Sequence, residues 1–146
     1  MIVIAHNIRS LHNVGSILRN AAAFGVEKVY MTGITATPPR KEIAKVALGA
    51  EDLVAWEAGE ITAVIDKLRA DGYGIWGLET GEGAVDITDI HTTPDPSSGR
   101  RGVALILGNE VDGIDADTRQ LLDGIVEIPM DKKRSLNVSV ASGVAM

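Results

Sequence analysis

Apolar and polar positions fall in blocks along this chain, and the blocks differ in period. Ile2 to Ala5 is a short apolar run that gives way to the polar stretch His6 to Asn13. From there apolar residues fall at Val14, Ile17, Leu18, Ala21 and Ala22, the spacing of one helix face. Gly25 stands where helices commonly end in a left-handed residue. Lys28 to Thr32 reads as the next strand. Pro38 and Pro39 mark a loop. Arg40 to Leu48 reads as a short helix with Ile43, Val46 and Ala47 on one side, and Leu53 to Trp56 as a short strand. A second clear helix carries Ile61, Val64, Ile65 and Leu68 and is closed by Gly72; Tyr73 to Leu78 is a strand. Glu79 to Ile90 is irregular and acidic. His91 to Gly102 reads as a surface loop.

Val103 to Leu107 is apolar without alternation, as in a strand buried on both faces. The loop GNEVDG follows at 108–113, and Asp115 is placed to cap a helix through Leu122. Ile125 to Ile128 is the last strand. Pro129 breaks it, a charged loop runs to Arg134, and Ser135 is expected to cap a final helix. Strands alternating with helices predict an α/β fold with a mainly parallel sheet flanked by helices. The length predicts one domain over 1–146. The last helical pattern is still running at Met146. A helix of about twelve residues is marginal alone, so the reading expects either a longer natural chain or docking against another subunit.

Composition sharpens this picture. The apolar share is 45% but aromatics are 3%, so the core must be aliphatic. Disorder, collagen and coiled coil are excluded. There is no cysteine, which excludes disulfides, thiolate catalysis and Cys-ligated zinc and fits a reducing cytoplasm. No apolar run approaches the roughly 20 residues of a membrane span, and Met1 leads into a strand instead of a basic leader. The sequence reading therefore expects a soluble, cytoplasmic protein. A net charge of −6 argues against nucleic acid, yet Arg40 with Lys41, Arg100 with Arg101, and Lys132 to Arg134 form local basic clusters.

Several signals carry no chemistry. GYGIWG at 72–77 matches G-x-G-x-x-G, but it follows a helix and opens a strand, the reverse of a dinucleotide site. No Walker A string is present. His6, His12 and His91 lack metal-ligand company, so no metal is expected.

Three polar clusters stand just beyond strand ends, where α/β folds bind ligands. The first holds Asn7, Arg9, Asn13 and Arg19. Helix capping is the ordinary account of Asn13, and simple exposure that of Arg19. The second is Gly108, Asn109 and Glu110. A tight turn explains the glycine but not a glutamate against a buried strand end. The third runs from Pro129 to Asn137, with a basic triplet and a helix start able to meet an anion or polar ligand. Ser135 has a plain capping role available; Asn137, at the second helical position, is less readily explained by propensity.

Together and in this order, the strings HNVGSILRNAAAFGVEKVYMTG, ALILGNEVDGI and IPMDKKRSLNVSVASGVAM resemble the three motifs of the SpoU-type (TrmH-like) branch of the SPOUT methyltransferases. Residues 33 to 102 carry little of the likeness. The resemblance implies a C-terminal deep trefoil knot, a homodimer with the active site near the subunit interface, and methyl transfer from S-adenosylmethionine to a ribose 2′-hydroxyl of tRNA or rRNA, tRNA being favoured. It implies cofactor contacts from Leu107, Gly108, Asn109 and Glu110, from Ile128, Pro129 and Met130, and from Ser135, Leu136 and Asn137. It assigns the chemistry to Asn13, Arg19, Glu110, Ser135 and Asn137. RNA would meet Arg9, Arg19, Arg40, Lys41, Lys132, Lys133 and Arg134. A guanidinium essentially never deprotonates in a protein, so Arg19 is expected to grip the neighbouring phosphate and orient the hydroxyl. Two other classes stay open: a non-catalytic RNA-binding or assembly protein, and a small-molecule enzyme using the same loops.

Overall fold

The computed structural model describes residues 1–90, 101–132 and 135–146. Its strands are β1 (Ile2–His6), β2 (Lys28–Thr32), β3 (Trp56–Gly59), β4 (Tyr73–Leu78), β5 (Val85–Asp86), β6 (Gly102–Leu107) and β7 (Gly124–Glu127). Its α-helices are α1 (Leu11–Ala23), α2 (Lys41–Ala47), α3 (Ile61–Ala70), α4 (Ala116–Arg119) and α5 (Val138–Ala145). The strands form one sheet in the order β3-β2-β1-β6-β4-β7-β5, and every strand pair is parallel.

Side-chain alternation divides the core. Val3, Ala5, Val29, Met31, Leu105 and Leu107 face the layer that contains α1, α2 and α5. Ile2, Ile4, Tyr30, Ile75, Ala104 and Ile106 face the α3 side. Both faces are covered, which is why β6 shows no polar alternation and is buried throughout. The apolar stripe of α1 is buried as its spacing predicts, at Val14, Ile17, Leu18 and Ala21. Gly15 brings α2 close: a Cβ there would stand 2.6 Å from the Ile43 carbonyl oxygen. The final helix docks on α1 of its own chain. Asn20 Nδ2 donates to the Ser139 carbonyl at 2.8 Å and to Ser142 Oγ at 2.9 Å.

Four local expectations are corrected. The segment expected as a strand at Leu53 to Trp56 is mostly turn; a 3-10 turn at Ala50–Asp52 delays the strand to Trp56–Gly59. Asp115 does cap its helix, accepting from Thr118 N at 2.9 Å, but that helix ends at Arg119 instead of Leu122. The cap of α1 is Ser10, not Asn13, whose side chain is used elsewhere. The cap of α5 is Asn137, not Ser135. The loop read at His91 to Gly102 lies, up to Arg100, outside the described residues, as do Lys133 and Arg134. GYGIWG is a turn leading into β4, with Gly72 at φ +86°. No helix among the described residues is long and apolar enough to cross a membrane.

Candidate active site

A cavity of about 500 Å3 opens at the carboxyl ends of β4, β6 and β7. Leu78 and Leu107, the last residues of β4 and β6, form part of its wall. The loop 108–113, then Ile128 and Met130, then Ser135 to Val138 and Ala141 complete it. Leu107, Gly108, Asn109, Glu110, Ile128, Met130, Ser135, Leu136 and Asn137 therefore meet around one space; Pro129 does not line it.

The loop 108–113 is held by its own chemistry. Asn109 and Gly113 exchange both backbone hydrogen bonds, at 2.9 and 3.0 Å. Asn109 Oδ1 accepts from Val111 N and Asp112 N, while its Nδ2 donates to the Asn7 carbonyl at 2.9 Å. The glycine at 108 is required by this fold-back. A Cβ there would lie 2.6 Å from the carbonyl carbon of Gly113. Its role is thus close approach of chain to chain, beside the cavity.

Glu110 joins the first and second clusters. Its carboxylate accepts from Arg9 N, Ser10 N and Asn13 Nδ2, each at 2.9 Å. Burial pushes its pKa up, but those three donors outweigh burial and hold it below the usual carboxylate value. Asn13 is buried, so its amide is committed to this contact. Asn137 accepts from Ser139 N at 2.8 Å and Ser139 Oγ at 2.6 Å, which spends one oxygen on starting α5. Ser135 is exposed at the cavity mouth.

Arg19 stands apart. It is exposed on α1, lines no part of this cavity, and has no hydrogen bond or ion pair among the described residues. Six residues separate it from Asn13, about 9 Å along a helix axis. Arg9, Arg40, Lys41 and Lys132 are exposed as well.

Sequence reasoning missed the third wall. Glu79 and Thr80, directly after β4, line the cavity, and Glu79 pairs with Arg119 at 2.5 Å. Their position past a strand end was the available signal; the irregular acidic stretch around them masked it. His6 has no metal-ligand role to explain it and is structural. That ring is buried, with Nδ1 2.8 Å from Thr32 Oγ1 and Nε2 3.0 Å from Asp115 Oδ2, so it ties β1 to α4 below the loop. Asp115 is pushed up by burial, but Thr118 and His6 bring its pKa below the ordinary value. Among the described residues no group of three or more His, Asp or Glu is placed to hold a metal.

The whole chain resembles known proteins in sequence and fold. Residues 1–146 match the model of the SpoU rRNA Methylase family. Among curated relatives, 23S rRNA (guanosine-2′-O-)-methyltransferase RlmB of Xanthomonas axonopodis pv. citri is 32% identical over all of this chain and 56% of its own length. The protein of the same name from Vibrio vulnificus is 34% identical over all of this chain and 57% of its own. The chain thus spans about half the length of the curated relatives it matches. In three dimensions it resembles an AdoMet-bound rRNA methyltransferase from Sinorhizobium meliloti, with a TM-score of 0.87 and 24% identity over 99% of this chain and 53% of that one. It also resembles the A. aeolicus TrmH/SpoU tRNA modifying enzyme, with a TM-score of 0.84 and 25% identity over 99% and 70%.

Proposed function

Since the chain belongs to the SpoU rRNA methylase family, we propose that it methylates a ribose 2′-hydroxyl of RNA with S-adenosylmethionine. The observation that carries this reading is the charge of the cavity lining. Glu79, Glu110 and Asp112 line it, and no lysine or arginine among the described residues does. Even with Glu79 paired to Arg119 and Glu110 accepting from three N–H groups, such acids suit a ligand bearing an ammonium and a sulfonium. The volume lies in the range of small-molecule sites, and Leu78, Leu107, Ile128, Met130 and Leu136 offer the apolar surface a flat heterocycle needs.

When bound, that cofactor supplies an electrophilic methyl group. This chain's residues do the rest. The loop 108–113 and residues 135–137 wall the cavity; Glu110 and Asn13 keep the first loop in place. Arg19 grips the phosphate beside the target ribose and orients the 2′-hydroxyl, whose proton leaves to phosphate or water. Alignment supplies much of the acceleration.

Arg19 lies outside its own cavity lining, which supports a two-fold dimer in which each copy's Arg19 serves the other's site. Val140 and Val144, one turn apart on α5, are 52% and 57% exposed and offer an apolar face for it. The C-terminal trefoil knot belongs to the same reading; residues from both chain segments such a knot would bring together, 107–113 on one side and Ile128, Met130 and 135–138 on the other, border one cavity. RNA meets the exposed Arg9, Arg40, Lys41 and Lys132. The tRNA preference and the rRNA names of the relatives pull in different directions. Methyl transfer assayed in parallel on purified tRNA and rRNA pools separates them. Alkali-resistant label in either supports ribose methylation; failure of S-adenosylmethionine to bind at high micromolar concentration returns the small-molecule alternative.

A further inference from the structure

A second cavity, also about 510 Å3, lies at the opposite edge of the sheet, between α2 and β3. Pro38, Pro39 and the Trp56 indole give it flat apolar walls, while Arg40, Lys41, Glu51 and Asp52 bring charge. The Trp56 Nε1–H already donates to the Glu51 carbonyl at 3.1 Å. The ring therefore contributes surface, and the Glu51 backbone is tied to it while the Glu51 side chain lines the same cavity. That carboxylate has an anomaly. Its Oε2 is fully buried and accepts no hydrogen bond. Arg40 and Lys41 line the same space, yet neither forms an ion pair with it or with any other described residue. A buried charged acceptor without a donor is costly. Two cations and two carboxylates, none in an ion pair among the described residues, describe a slot with room for a ligand that carries both donors and acceptors.

We infer that this slot takes an amino-bearing purine of the RNA, specifically guanine, with Arg40 and Lys41 on the adjoining phosphates. The inference rests on the RNA reading of the preceding section. Guanine alone among RNA bases presents two adjacent N–H donors on its pairing edge, which match the two oxygens of a carboxylate once the Glu51 side chain turns its buried, unpartnered Oε2 into the slot. Trp56 supplies a stacking surface of the kind that holds single-stranded bases. Three strand spacings separate β3 from β6, roughly 14 Å. The base read here is therefore not that of the methylated nucleotide but one further along the strand. It makes the slot a sequence-reading subsite.

The chain has two tryptophans, so their indole N–H resonances are easily separated, with Trp56→Phe assigning the one in question. The probe is guanosine 5′-monophosphate, titrated into the full chain beside the adenosine, inosine and uridine monophosphates. The expected result is a saturable shift of the Trp56 indole resonance, with guanosine binding at least about tenfold tighter than the others. Glu51→Gln should remove that preference, leaving S-adenosylmethionine affinity as in the unaltered chain. No shift of the Trp56 resonance, equal binding of all four nucleotides, or an unchanged preference in Glu51→Gln overturns the inference. So does a crystal structure with Glu51 paired to Arg40 or Lys41. Methyl transfer without guanosine binding would sink this subsite and leave the RNA reading standing. Guanosine binding without methyl transfer to any RNA would do the reverse.

Discussion

Asn13 Nδ2 donates to Glu110 Oε1 at 2.9 Å, across 97 residues of sequence. This bond fastens the first turn of α1 to the loop that forms the cavity floor. With Arg9 N and Ser10 N on the same carboxylate, it makes one rigid unit from two segments that chemistry needs together.

Glu110→Ala should therefore loosen both segments at once. It strands three donors, and the expected loss is about 1–3 kcal/mol of folding stability. Asn13→Ala should cost less, and the double variant should cost less than the sum of the two singles. Urea unfolding of all three checks this. Strict additivity would mean that the bond has no energetic weight.

The same contacts set a pH dependence. Glu110 and Asp115 both have pKa values lowered by folding, Glu110 through its N–H donors and Asp115 through Thr118 and His6, each against burial. A lowered folded pKa means stability that is complete above the unfolded value, about 4. It is lost as pH falls through the lower, folded values. Thermal unfolding between pH 7 and pH 2 should show that acid loss, and Glu110→Gln should make it shallower. An equal acid limb in the variant would contradict the assignment.

Gly15→Ala tests the close packing of α1 on α2. The added methyl meets the Ile43 carbonyl, which is backbone and cannot rotate away. Overpacking of this kind costs about 1–3 kcal/mol. Calorimetric unfolding should show a lower Tm. An unchanged Tm would mean the two helices separate more readily than their packing indicates.

Much of this architecture was legible in the chain because periodicity reports burial directly. The stripe of α1 and the unbroken apolar run of β6 were readable for that reason. Caps were less readable. Ser10 and Asn13 both have capping chemistry, as do Ser135 and Asn137, and only the tertiary partners decide between them. Glu110 took Asn13 for itself and left capping to Ser10. The strand at Trp56 was misplaced because Leu53 and Val54 have strand propensity, while the preceding 3-10 turn owes its existence to packing against α1 and α2. Of the candidate site, the strand-end loops were legible from position. The wall at Glu79 and Thr80 has the same position past a strand end, but the acidic, irregular stretch that follows makes it read as a solvated loop.

Asn137→Ala should carry two effects. Loss of the cap on α5 costs about 1 kcal/mol. Loss of a cavity-lining amide should weaken S-adenosylmethionine. Asn137→Ser keeps capping ability and should restore stability while leaving cofactor affinity low. Titration calorimetry beside urea unfolding separates the two. Full recovery of affinity in the serine variant would reduce Asn137 to a cap.

The central claim is ribose methylation directed by Arg19, and its most direct measurement is transfer of labelled methyl from S-adenosylmethionine to tRNA and rRNA, followed by alkaline hydrolysis. The unaltered chain should leave label in alkali-resistant dinucleotides, because a 2′-O-methyl group blocks cleavage of the next linkage. Arg19→Ala should bind the cofactor normally and transfer nothing. Label recovered in ordinary mononucleotides, or transfer undiminished in Arg19→Ala, would contradict this account.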